Sequence, residues 1–496
     1  MFGVLPAGAQ EGPLSIIDWL SNSMAEPAVA APRPQPPTSD GASPPGITVS
    51  TIENAAPVAV GLLPVSVTGL PRDLWGKGKP ADIAAAFAAL PQGLTPGLRD
   101  LAFTLLLAEV DPPLGGDPAD TLFLARLDTL LRYGAVDDVK ALVDRAGRTT
   151  PPIFRRYFDA ALLTGTETEA CERLAASPDL APSFPARVFC LARAGDWDTA
   201  ALTLGTGEAI GVIDPAEGDL LHRFLDPEAA ENGASLAPPR QPTPLELRLF
   251  EAIGETLPTG NMPLAFARAD LSDQTGWRQK IEAAERLVRS GALEPNLLLG
   301  LYTERSPAAS GGLWDRVAAV QAFDAALASG GADAVAAALP SVWSEMQGAG
   351  LAVALADLYA DRLATVDLEG DAARLAVHLR LLGPAYESAA QATAAEAGPL
   401  AVAIATGRAD GVEGSDAQAR ALLDGFRARG IPERYGREIE TSGLGAAILS
   451  AIGHFERGAA GDLRDLTDAV AFFRAIGLHD TARRAALQTL ILDQRG

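Results

Sequence analysis

Lysine is nearly missing from this chain of 496 residues. It occurs only at Lys77, Lys79, Lys140 and Lys280, so arginine carries almost all the positive charge. Basic residues total 40 against 63 acidic ones, a formal net charge of −23. That shortage of cations argues against nucleic-acid binding, which needs a basic patch to displace counterions, and against an anionic membrane surface. Cysteine is also scarce: two residues support neither a disulfide-rich scaffold nor a zinc ribbon. Aromatic residues make up 6% of the chain, which disfavours a sugar groove or a base-stacking platform. The longest apolar runs, 58–67 and 101–110, fall short of the ~18 residues a bilayer crossing needs.

What is present is a globular composition. A hydrophobic fraction of 48% is enough for a large core and too high for a disordered chain. At ~150 residues per domain the length allows about three domains, or one long repeat array.

The N-terminus holds the tail of an export signal without its head. Pro6-Ala7-Gly8-Ala9-Gln10 places small residues at −3 and −1 for cleavage after Ala9, but no basic stretch precedes it. The expectation is an exported, periplasmic protein whose true start lies upstream, with residues 1–10 the remnant of a signal peptide. A cytoplasmic location is the alternative. Residues 11–25 contain an apolar segment, 14–20, in which Ile16, Ile17 and Leu20 share a helical face with Trp19 at its edge. These four are the candidate partner-binding residues. Residues 26–46 carry seven prolines, which fix φ and remove donors, so this piece is expected to be an extended tether. Residues 47–79 include β-branched runs, such as 65–68, and are expected as short strands or an extended lead-in.

From Pro80 to the end the pattern is helix after helix. Thr95-Pro96, Asp117-Pro118, Thr150-Pro151 and Thr243-Pro244 each set a capping residue before a proline suited to a first helical turn. Gly134, Gly165, Gly195, Gly291 and Gly330 follow apolar periodic runs, as helix stops do. Leu122, Leu124, Leu127, Leu130 and Leu131 form one apolar face, and Ile281, Ala284, Leu287 and Val288 another. Some of this recurs: Gly134, Gly165 and Gly195 are spaced in the low thirties, each followed five residues later by Val139, Ala170 or Ala200. The same pattern returns at Gly331 with Ala336, and at Gly477 with Ala482. A period in the low thirties is one helix hairpin per repeat, and hairpins must stack to bury both faces. The pattern resembles the tetratricopeptide and related α-solenoid families. That resemblance implies an all-α fold of stacked helix hairpins over residues 80–496. Candidate breaks lie at 228–242 and 407–415; either could be a loop within one superhelix, and the first could also separate two arrays. An irregular all-α bundle is the alternative.

Chemistry is hard to find. His222, His378, His454 and His479 form no zinc motif, and the Gly-x-Ser-x-Gly nucleophile pattern is missing. Gly76-Lys77-Gly78-Lys79-Pro80 lacks phosphate-loop spacing and is expected to be a turn into a helix. Asp137 and Asp138 sit where the helix dipole favours acids. Glu440-Thr-Ser442 resembles the Glu-Ser start of the soluble lytic transglycosylases, which also carry an α-superhelix. The Gly-Leu-Met-Gln segment of that family is missing, and too few residues follow for its catalytic domain. No residue set nominates a catalytic, cofactor or metal site. Cys171 and Cys190 fall on successive helices, where a disulfide is feasible in an oxidising compartment; two small buried thiols is the plainer expectation. The leading expectation is thus a non-catalytic exported scaffold that binds protein partners in a bacterial envelope assembly. The flagellar motor is a first candidate, with no motif behind it. An enzyme or enzyme subunit of cell-wall metabolism, or a cytoplasmic adaptor, are the alternatives, and oligomeric state is left open.

Overall fold

The computed structural model describes residues 59–492, except 118, 227, 229–234 and 308. The expected leader, the docking segment with Ile16, Ile17, Trp19 and Leu20, the proline tether and residues 47–58 of the lead-in, with their first β-branched run, all lie outside the described residues. The rest is all-α. Helix follows helix from Val65–Thr68 to His479–Leu492, with no strand among the described residues. Consecutive helices pack in antiparallel-type pairs, such as Leu313–Ser329 on Ala332–Gly348 and Leu444–Ala459 on Leu463–Ala475. This is the hairpin stacking of an α-solenoid.

The recurring glycine has a backbone cause. Gly134, Gly165, Gly195 and Gly477 have φ of 80°, 74°, 84° and 90°, the left-handed region that a side chain disfavours. Each ends its helix in the same two-bond turn. At Gly134 its own N–H donates to Leu131 O (3.0 Å), and Ala135 N–H donates to Leu130 O (2.9 Å). Two of the helix's orphan carbonyls are thereby satisfied. The turn also fixes where the next helix starts, so the residue five positions on faces inward: Val139, Ala170, Ala200 and Ala482 are fully buried. One register needs correcting. The left-handed glycine of the fourth turn is Gly330 (φ 72°), not Gly331, and the buried partner is Val335 rather than Ala336.

The capping expectations meet the structure unevenly. Pro96, Pro151 and Pro244 each occupy a first helical position, and Thr243 forms a reciprocal capping box with Glu246. Asp117 acts from further back. Its helix begins at Thr121, and its carboxylate accepts from the N–H groups of Thr121 (2.8 Å), Leu122 (2.8 Å) and Phe123 (3.3 Å). Helix Pro151–Thr164 shows how such an element is held. Ile153, Phe154, Tyr157, Phe158, Leu162 and Leu163 are all buried, covering more than one face. It accordingly packs against helices Thr121–Arg132, Val136–Ala146, Glu167–Ala176 and Pro244–Ala252. Each large apolar side chain so buried is worth about 1.5–3 kcal/mol.

The described part of the lead-in, 59–79, departs from expectation at one place. Residues 65–68 form one helical turn instead of a strand, because β-branched residues need a partner strand and none is available here. Among the described residues, extended pairing is confined to Leu63, bridged to Ala108. The core also begins upstream of Pro80: Leu70, Leu74 and Trp75 are buried in the same cluster as the C-terminal helices.

The array closes on itself. Helix Pro96–Leu107 packs on His479–Leu492, and Pro80–Ala88 on Leu444–Ala459. Gly445 N–H donates to Leu74 O (2.8 Å), Thr95 N–H to Glu456 Oε1 (2.7 Å) and Gly97 N–H to Gln488 Oε1 (2.8 Å), the last pair 391 residues apart. The N-terminal donors of helix Pro96–Leu107 are therefore capped by the far end of the chain. A Cβ at Gly445 would lie 2.5 Å from two ring carbons of Trp75, so only glycine permits this approach. Gly76-Lys77-Gly78 is the turn that makes the junction, and a Cβ at Gly78 would meet Ser442 O at 2.6 Å. Neither expected break divides the array: helices Pro215–Leu225 and Pro244–Ala252 pack together across 228–242, and everything from residue 59 belongs to one compact unit.

Candidate partner-binding surface

The exposed large apolar side chains are not scattered evenly. Trp197, Leu202, Ile210 and Val212 are 51%, 72%, 60% and 51% exposed and fall within sixteen residues of sequence. Among the described residues, Leu114, Leu297, Ile431 and Val67 are the others, and they lie apart in the chain. The cause is in helix Trp197–Ala209, which is apolar on both sides. Ala200 and Leu204 are buried against helix Phe184–Arg193, while Leu202 points outward. The rest of the outer surface is small, with Ala201, Gly205, Thr206 and Ala209 exposed, apart from the carboxylates of Asp198, one turn before Leu202, and Glu208. Gly207 lets the helix seat closely: a Cβ there would lie 2.5 Å from Ile213 Cδ1 and 3.3 Å from Phe184 Cδ1. Trp197 flanks the face, 6.5 Å from the ring of Phe224, which stacks on Phe189 at 5.6 Å.

The base of this face is covalently pinned. Cys171 and Cys190 are joined in a disulfide, not the two thiols expected, with Cα atoms 5.1 Å apart. The bond ties helix Glu167–Ala176 to helix Phe184–Arg193, on which the exposed helix rests. Arg193 pairs with Glu167 (3.0 Å) across the same two helices.

The rim is acidic. From Ala194 to His222 the sequence has Asp196, Asp198, Glu208, Asp214, Glu217 and Asp219, and no Lys or Arg. Glu208 meets His222 Nε2 at 3.0 Å. The other five take part in no ion pair among the described residues. Asp196 and Asp214 cap helix N-termini. Glu217 has its carboxyl pushed up to about 7, by burial first and then by the negative charges of Asp214 and Glu246. The flanking cations are already used: Arg223 faces Glu255 (3.9 Å) and Arg187 donates to Pro178 O (2.9 Å).

Elsewhere polar groups are absorbed into the fold. A cavity of about 300 Å³ is lined by His378, Gly398, Asp416 and Thr489 among apolar neighbours. Its carboxylate, Asp416, accepts Ala419 N–H (2.8 Å) and Ser415 Oγ–H (3.0 Å), which hold it below the usual carboxylate range; burial lowers His378. His454 Nδ1 meets Tyr435 Oη at 2.8 Å, and burial lowers its pKa too. His479 opens the last helix. Asp137 and Asp138 lie in a first helical turn, and Asp137 pairs with Arg268 at 2.6 Å. Glu440 is exposed. A second cavity, about 260 Å³, opens at the closing seam and is lined by Asp100, Asp480 and Arg484 among others. Asp100 pairs with Arg99 (2.9 Å), and Asp480 accepts Tyr386 Oη–H (2.7 Å). Near it, Asp357 is pushed up to about 6 by burial, against the pull of Arg484. No group of three or more potential metal ligands occurs among the described residues, and no described helix is long and apolar enough to cross a membrane.

Sequence reasoning pointed to Ile16, Ile17, Trp19 and Leu20, and missed Leu202, Ile210 and Val212. The available signal was a helix whose apolar residues do not confine themselves to one face. No protein-family model matches the chain, and neither a curated protein nor a solved structure matches it.

Proposed function

We propose that this chain is a non-catalytic, exported helical-repeat scaffold that binds protein partners in a bacterial envelope assembly. One observation carries the binding role: four large apolar side chains stay exposed within sixteen residues, Trp197 and Leu202 on helix Trp197–Ala209 and Ile210 and Val212 in the turn that follows it. The fold supports it, because stacked helix hairpins present broad, rigid surfaces. The Cys171–Cys190 bond supports export, since such bonds persist in oxidising compartments. The test is co-purification of the full chain from its own cells, beside a Leu202→Glu, Ile210→Glu variant. The scaffold role predicts a reproducible protein set with the parent that the variant loses while melting within ~2 °C of it. Recovery of the parent alone, with no partner, contradicts the proposal.

A second reading is favoured by Asp357. A raised carboxyl near the cavity at the closing seam is the kind of group that acid–base chemistry uses. It supports an enzyme of cell-wall metabolism. Release of soluble fragments from purified cell wall, lost in Asp357→Asn, would favour this reading over scaffolding.

A further inference from the structure

We infer that the face built by helix Trp197–Ala209 and its following turn docks an apolar segment flanked by Lys or Arg, contributed by another protein as an amphipathic helix. The inference rests on the partner-binding role and adds the chemistry of the partner. Two features of the face specify it. Leu202, Ile210 and Val212, with Trp197 at the edge, need apolar cover. Asp196, Asp198, Asp214 and Asp219 belong to the same stretch of chain and take part in no ion pair among the described residues, so a basic segment supplies a counter-charge. The outer residues between the anchors are Ala201, Gly205 and Ala209, and a Cβ at Gly205 would meet nothing within 4 Å. That leaves a shallow strip on which a helix backbone can lie close.

The same charges discriminate against other occupants. A second copy would bring an identical acidic rim against this one, because a twofold interface apposes the same patch. An anionic lipid surface would be repelled. The disulfide beneath the face holds its supporting helices before any partner arrives, which lowers the ordering cost of binding.

The probe is a fluorescein-labelled 14-residue helical peptide of Leu and Lys, with Leu at i, i+3 and i+4 spacing. Binding to the oxidised full chain is read by fluorescence anisotropy. Two comparison peptides replace either all Lys by Glu or all Leu by Ser. The expected result is saturable binding of the Leu/Lys peptide, at least tenfold weaker binding of both others, and hydrogen-exchange protection over residues 197–225. The variant Leu202→Ser, Ile210→Ser keeps the charge and should weaken the Leu/Lys peptide at least tenfold. Equal binding of the Ser/Lys peptide, or of the variant, would mean attraction to net charge alone and overturn the inference. So would concentration-dependent self-association that the variant abolishes, because the face would then belong to a second copy. Should the variant fail to fold, exchange protection on the parent chain decides. If partners co-purify through this face yet the peptide does not bind, the basic chemistry is wrong and the scaffold role survives. If neither occurs, both fall.

Discussion

Closing the array joins Trp75 to Gly445, and that contact gives a worked prediction. Trp75 is 1% exposed, lies edge-on to Phe87 at 5.7 Å, and sits where a Gly445 methyl would clash at 2.5 Å. Trp75→Ala removes a buried ring and should cost about 3–5 kcal/mol. Gly445→Ala in the parent forces the ring or the seam to move, at about 1–3 kcal/mol, offset by up to about 1 kcal/mol of helix propensity. In the Trp75→Ala background the ring clash is gone and only Leu74 Cγ, 3.0 Å from the methyl, has to give, so the same change should be close to neutral. The two effects are therefore coupled by at least about 1 kcal/mol, although the residues lie near opposite ends of the described chain. Urea unfolding followed by far-UV circular dichroism measures the cycle. Hydrogen exchange adds the location: Trp75→Ala should weaken protection in residues 80–107 and 444–492 together. Additivity within about 0.5 kcal/mol, or weakening confined to the first of these segments, would refute closure.

Three further outcomes follow from individual groups. Glu285 is 4% exposed and accepts from Arg316 Nε and Nη2 (both 2.8 Å) and from Tyr302 Oη (2.8 Å), so Glu285→Ala leaves the guanidinium with only Glu345 at 4.0 Å and should cost about 3 kcal/mol in urea. A cost under about 1 kcal/mol would show that the network is not sealed. Thiol titration of the oxidised chain should find no free cysteine, and reducing the bond, which spans 19 residues, should lower stability by about 3 kcal/mol. Two reactive thiols before reduction would contradict the pairing. The Glu217 carboxyl is raised, so the folded chain keeps a proton that the unfolded chain has released. The stability linked to it is intact below about 4.5 and lost as pH rises through about 7. Glu217→Gln should therefore leave the melt unchanged near pH 4 and stabilise by about 1 kcal/mol at pH 8, a value discounted for partial exposure. Equal effects at both pH values would be inconsistent with the raised carboxyl.

The helices were legible because their signals are local. A proline at a first turn and a left-handed glycine at a helix end act through their own backbone, so Pro151, Gly165 and Gly195 mark boundaries without knowledge of the rest. Buried faces such as Ile281, Ala284, Leu287 and Val288 follow from helical spacing in the same way. What stayed hidden depends on distant partners. Nothing near Trp75 signals that Gly445 must lack a side chain, and nothing near Gly97 announces Gln488 as its acceptor. Residues 65–68 misled because β-propensity expresses pairing, and here the neighbour is a helix end. The exposed apolar surface was missed because Leu202 looks like any other helix leucine until Ala200 and Leu204 are seen to fill the buried side. Cys171 and Cys190 were recognisable as neighbours on successive helices, but only the packing of those helices decides between bond and thiols.

The central claim is that the face around Leu202 meets a protein partner. The direct measurement replaces Leu202 by a photoreactive benzoyl-phenylalanine in the protein's own cells and maps the crosslinked product by mass spectrometry. Leu114, 76% exposed and outside the face, serves as the matched control. The account predicts a discrete adduct from position 202, joined to an apolar segment flanked by Lys or Arg in another protein, and none from position 114. Equal, diffuse labelling from both positions, or no adduct from position 202, would contradict it.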